Sequence, residues 1–178
     1  MSITRREWTA AALAAAWQHA HQPPDSSTKL QYLNETDARE IEALASQIIP
    51  SDDGTPGAKE AGALYFIDRA LATWDRDKRE LYGGGLADLQ QRRRIAHPDS
   101  HSLAALPSPQ LIALMKTIEG TPFFEILRAH TILGFAGPPS YGGNRDGVGW
   151  AHISVEDKMI FQPPFGYYDA EAMREGKQ

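Results

Sequence analysis

Three polar side chains interrupt apolar stretches of helical pattern: Asp68, Arg128 and His130. A carboxylate, a guanidinium and an imidazole are the groups of acid–base catalysis, and a small stand-alone isomerase or hydrolase would need them to converge in one pocket. A lone carboxylate is not an acid–base pair, so the plainer role for Asp68 is a structural one, bonded to backbone or to an arginine. His130 beside Arg128 reads in the same way, as a core or capped histidine. The segment His97-Pro98-Asp99-Ser100-His101 pairs two of the six histidines but lacks a Glu or Cys at helical ligand spacing, and no H-E-x-x-H is present.

Other reactive arrangements are missing as well. With no cysteine in 178 residues there are no disulfides, thiolate metal sites, self-ligated iron–sulfur clusters or thiol nucleophiles. No G-x-S-x-G elbow occurs, no G-x-G-x-x-G follows a strand, and Asp52-Asp53-Gly54 is too short for a calcium loop. Gly83-Gly84-Gly85 lacks the lysine and the preceding strand of a phosphate loop and reads as a flexible turn. The formal charge of −5 disfavours nucleic acid and anionic membrane as partners. The basic run Arg92-Arg93-Arg94 reads as a solvated helix end. No stretch reaches the ~20 apolar residues of a membrane span.

The elements that would position these groups are helices. Thr36 is the expected N-cap of a first helix, whose Ile41, Leu44, Ala45 and Ile48 form one stripe ended by Pro50. Ser51 to Gly57 is a tight polar loop. A second helix is expected from about Ala58 to Trp74, apolar on nearly every side and therefore central to the domain or under a partner. A third is expected from Leu86 to about Ile95. A fourth opens at Ser108-Pro109 and stops at Gly120, and a fifth opens at Thr121-Pro122 and ends at Gly134. Only Trp150 to Val155 suggests extended chain. The expected fold is an all-α bundle of about five helices with a long irregular C-terminal segment.

That segment, from Gly137 to Phe165, is rich in glycine, proline and aromatics. Long ordered loops are usually functional, and aromatic side chains are favoured interface anchors. Tyr141, Gly142, Gly143, Asn144, Trp150, Phe161 and Phe165 are thus the expected partner interface; the alternative is that the aromatics fold back onto the bundle. At the other end, Thr4-Arg5-Arg6-Glu7-Trp8 followed by Ala10 to Trp17 has the form of a twin-arginine export signal, with Arg5 and Arg6 as its pair. The alternative is a plain N-terminal helix. The apolar stretch is short and Gln18-His19-Ala20 is a poor cleavage site. The chain therefore divides into an export segment (1–22), a linker (23–35), a helical bundle (36–136) and an extended partner-binding segment (137–178).

Three ordered segments carry a resemblance: Ile48 to Gly62 running into Tyr65-Phe66-Ile67-Asp68, Thr121-Pro122-Phe123-Phe124 leading to Leu127-Arg128-Ala129-His130 and on to Phe135, and Pro139-Ser140-Tyr141-Gly142-Gly143-Asn144 leading to Gly149-Trp150. Together, over about residues 36 to 160, the chain resembles the gluconate 2-dehydrogenase subunit 3 family. The resemblance implies a helical, non-catalytic small subunit holding no cofactor of its own. It implies a partner of the glucose-methanol-choline oxidoreductase type that carries FAD, often with a cytochrome c. It also implies that the small subunit stabilises the flavoprotein and supplies the twin-arginine signal, which would place the complex in the periplasm; without a working signal it stays in the cytoplasm. Gluconate, glucose and glycosides oxidised at the 3-hydroxyl are the implied substrates. A general scaffold for exported proteins is a further alternative.

Overall fold

The computed structural model describes residues 29–155 and 166–176. Among them the architecture is all-α, as expected, with no strand beyond a single bridge between Asp52 and Thr55. The helices are α1 (Glu35–Ile48), α2 (Ala63–Ala72), α3 (Arg79–Ala96), α4 (Ser108–Lys116), α5 (Pro122–Ala136), α6 (Val148–His152) and α7 (Tyr167–Arg174).

Local sequence explains most of the helix starts. α1 is capped by Asn34, whose side chain accepts the Thr36 and Asp37 N–H groups at 2.9 Å each. The cap thus lies two residues before the expected Thr36, and asparagine is the stronger capping residue. Ile41, Leu44 and Ala45 of the expected stripe are buried. α2 begins only after Gly62, which sits in the left-handed region (φ 67°) that favours glycine, so residues 58–62 form turns and not the first turn of the helix. α5 opens as the Thr-Pro pair predicts: Thr121 caps Phe124 and Pro122 occupies the first turn. α4 starts at Ser108 but ends at Lys116, before Gly120.

Two expected breaks are absent. Gly83-Gly84-Gly85 lies inside α3, which runs unbroken from Arg79 to Ala96. Gly83 and Gly84 face open space, whereas a Cβ on Gly85 would overlap the Phe123 ring of α5. Likewise Gly134 does not end α5. It lies within the helix where α2 crosses it, and a Cβ there would come within 2.9 Å of Ala63 Cα and 3.0 Å of Phe66 Cβ. Both glycines mark close approach of packed elements, a tertiary property that a single helix's pattern does not contain. The segment Trp150–Val155, expected to be extended, begins in α6.

α2 and α5 form the central pair, and α1, α3 and α4 pack around them. The all-round apolar character of α2 is used here: Ala63, Leu64, Phe66, Ile67, Ala70 and Leu71 are all buried. Ile41, Leu44, Ile67, Leu89 and Leu127 are fully excluded from solvent, each contributing about 1.5–3 kcal/mol of burial.

Candidate functional site

Each polar group singled out in the sequence has a separate partner. Asp68 is buried on α2, and its carboxylate accepts three backbone N–H groups: Gln31 at 2.6 Å, Tyr32 at 3.0 Å and Leu33 at 2.7 Å. The backbone-bonded structural role is the one it fills. Residues 31–33, in the stretch read as linker, are thereby fastened to the bundle, with Leu33 in the core. Arg128 lies half exposed on α5, paired with Glu125 one turn earlier at 2.6 Å. His130 is buried, with the Tyr82 hydroxyl 3.0 Å from Nδ1 and an Asp75 carboxylate oxygen 3.2 Å from Nε2. Asp68, Arg128 and His130 do not share a partner, and the converging acid–base pocket is not formed.

The Asp75–His130–Tyr82 chain fixes the imidazole's tautomer by elementary bookkeeping. The carboxylate can only accept, so Nε2 carries the proton; Nδ1 then accepts from the phenol. Burial holds His130 below its ordinary pKa against the opposing pull of Asp75. Burial, and then the Asp75 charge, pushes the Tyr82 phenol well up. Both shifts favour the neutral pair. Nothing in the sequence marks Tyr82 or Asp75, because their partner lies far along the chain and no spacing rule connects them.

A second polar network joins α1 to α3. Glu40 is buried and accepts from the Gln90 side-chain amide at 2.8 Å and the Ala104 N–H at 2.9 Å. Gln90 in turn accepts from Arg93 Nε at 2.9 Å, and Arg93 also donates to the Ser100 carbonyl. Arg93 is buried, so the basic run is not wholly solvated. The signal was available: Tyr82, Leu86, Leu89 and Arg93 form one stripe at i, i+4, i+7 and i+11.

The three segments that carry the resemblance meet at one joint. The Asn144 N–H donates to the Gly134 carbonyl at 2.6 Å, and the Arg145 N–H to the Ala61 carbonyl at 3.0 Å. The Arg145 guanidinium lies 3.7 Å over the Tyr65 ring. Asn144 is fully buried; its Nδ2 donates to the Gly137 carbonyl at 3.0 Å and its Oδ1 accepts the Gly149 N–H at 2.9 Å. The Trp150 indole N–H donates to the Ala136 carbonyl at 2.7 Å. A Cβ on Gly143 or Gly149 would overlap α5 carbonyls, and one on Gly142 would crowd the Tyr65 carbonyl.

Gly142, Gly143, Asn144 and Trp150 thus fasten residues 137–152 to α2 and α5. Tyr141 is different: it is half exposed and packs edge-on against Trp74. Trp74, Ile132, Leu133, Tyr141, Ile153 and Val155, in or next to the elements that form the joint, are each between 45% and 52% exposed. Phe161 and Phe165, and the Arg5-Arg6 pair, lie outside the described residues.

The fold and its joint define an all-α chain whose buried polar groups hold helices and loops to one another. The family model for gluconate 2-dehydrogenase subunit 3 matches residues 35–156, and the chain belongs to that family. Neither a curated protein nor a solved structure matches it. The chain is a small subunit of a gluconate 2-dehydrogenase-type complex, and its partners are other subunits of that dehydrogenase. No helix among the described residues is long and apolar enough to cross a membrane.

Proposed function

We propose that this chain is a non-catalytic subunit that binds and stabilises the FAD-bearing, glucose-methanol-choline-type catalytic subunit of the complex and carries it through export. Hydride chemistry then belongs to the partner's flavin. The observation that supports this most is the joint. Residues 137–152 are fixed to α2 and α5 by satisfied buried bonds, yet large apolar side chains in or next to these elements remain half exposed. Rigid backing and unsatisfied apolar surface are what a docking face requires. Tyr141, in contact with Trp74, is its proposed anchor, and Phe161 and Phe165 are proposed as further partner contacts. Asn144, Gly143 and Trp150 shape that face from within.

Export by the twin-arginine route, signalled by Arg5 and Arg6, fits a flavoprotein that must fold around its cofactor before crossing a membrane; the destination is then the periplasm. A sugar or glycoside is the proposed substrate class of the complex, and a cytochrome c its proposed electron acceptor.

The experiment is co-expression with a glucose-methanol-choline-type flavoprotein from the same genome. The two are expected to co-purify, and omission of this chain to lower the flavoprotein's solubility and FAD content. Tyr141→Ala should weaken the complex while leaving the thermal stability of the isolated subunit unchanged. Trp150→Ala should lower both, because its indole also holds the segment. Absence of co-purification together with unchanged flavin content would reject the reading. Arg5→Lys with Arg6→Lys should leave both chains in the cytoplasm; unchanged periplasmic delivery would reject the export role alone.

A further inference from the structure

The Tyr82 hydroxyl is buried against a hydrogen-bonded base, and that base is bonded to a carboxylate that is 28% exposed. The same histidine is the last link before Tyr82 in an unbroken line of rings. Tyr141 meets Trp74 at 5.6 Å between centroids, Trp74 meets Phe66 at 6.0 Å, Phe66 meets His130 at 5.9 Å, and His130 stacks on Tyr82 at 5.8 Å. Trp74 and Tyr141 are about half exposed, whereas Tyr82 is 1% exposed. An oxidisable phenol therefore has both things that its oxidation needs. A proton acceptor is already in place, and an aromatic path leads to the surface.

We propose that Tyr82 is a one-electron redox site, with Trp74 as its surface port and His130 as its proton acceptor. An outer-sphere one-electron oxidant takes one electron from the Trp74 indole and is reduced by one. Tyr82 then gives one electron to the Trp74 radical cation and restores it. The phenolic proton moves along the existing hydrogen bond to His130 Nδ1, leaving a neutral phenoxyl radical beside an imidazolium paired with Asp75. Returning one electron to the phenoxyl returns the proton to the phenol. Histidine suits this role because its neutral form accepts the proton without rearrangement. The site rests on this chain's own geometry and not on the partner proposed above.

The test uses the full-length chain and a photogenerated ruthenium(III) polypyridyl complex as oxidant, with radicals followed by electron paramagnetic resonance and transient absorption. The expected result is a long-lived tyrosyl radical that is lost in Tyr82→Phe and forms more slowly in Trp74→Phe. Exposed tyrosines give only short-lived signals that Tyr82→Phe leaves in place. In the unsubstituted protein, formation should slow as acid protonates His130, whose charged and titratable neighbours are Asp75, Lys78 and Tyr82. Should Tyr82→Phe fail to fold, the acid series and Trp74→Phe carry the test. An undiminished long-lived signal in folded Tyr82→Phe, no long-lived signal in the unsubstituted protein, or formation indifferent to both acid and Trp74→Phe would overturn the proposal.

Discussion

The backbone N–H of Asn144 donates to the carbonyl of Gly134 at 2.6 Å, and this contact joins the irregular C-terminal segment to the helix that crosses α2. Asn144 is held in the left-handed region (φ 43°), which asparagine tolerates better than most residues. Replacing it by alanine removes both side-chain bonds and leaves the Gly149 N–H and the Gly137 carbonyl without partners. Asn144→Ala is expected to cost about 2–3 kcal/mol in urea unfolding. A loss below half of that would mean that water replaces the side chain.

The glycines give a paired prediction. Gly134→Ala forces a methyl group against Ala63 and Phe66, at an expected cost of about 1–3 kcal/mol from overpacking. Gly84→Ala adds a methyl in open space on α3 and should stabilise by about 0.5–1 kcal/mol through helix propensity. Thermal melts of the two variants should move in opposite directions. Equal shifts would contradict the packing described for the α2–α5 crossing.

Asp68→Ala removes the acceptor of three backbone N–H groups at once. Bonds to a charged acceptor are the strong ones, so a loss of about 3 kcal/mol or more is expected. Amide exchange should quicken first at Gln31, Tyr32 and Leu33. Exchange that stays slow at those three positions would show that packing of Leu33 alone holds the segment.

His130 makes the stability depend on pH in a defined direction. Its folded pKa lies below the ordinary value of 6.5, so between the two values the unfolded chain binds more protons. This contribution is complete above the ordinary value, is lost as pH falls through the window, and levels off below the folded pKa. Urea midpoints measured from pH 8 to pH 5 (roughly the range over which histidine titrates) should fall on the acid side. His130→Gln should flatten that fall. A decline that survives the substitution would assign it to other groups. Glu60, held low chiefly by the Ser51 hydroxyl and then by the Gly57 N–H, acts in a separate window below its ordinary carboxylate range.

Features encoded within a few residues were legible in the sequence. The Thr121-Pro122 start, the α1 stripe and the central position of α2 all follow from caps and periodicity. The need of Asp68 for a partner was readable from its place on an apolar face, and so was the family. The misread positions share one cause. Gly85 and Gly134 look like helix breakers in one dimension but are contact points between helices in three. Arg93 looks like surface charge until the stripe from Tyr82 is extended by one more step. The Asp75–His130–Tyr82 chain joins residues 48 and 55 positions apart, a separation at which pattern carries no information. At the joint, Asn144 and Trp150 were found by composition, but composition does not tell an anchor that faces a partner from one that faces its own chain.

The Asp68 clamp has a mechanical consequence. Residues 31–33 are bolted to the central helix, and that helix packs directly on α5, which holds residues 137–152. Tension applied to Gln31 from the N-terminal side, as a transport machine would apply it, loads three hydrogen bonds that converge on one carboxylate before it reaches α1. Asp68 thus acts as a strain relief, taking load at residues 31–33 before it is passed to the packed stripe of α1.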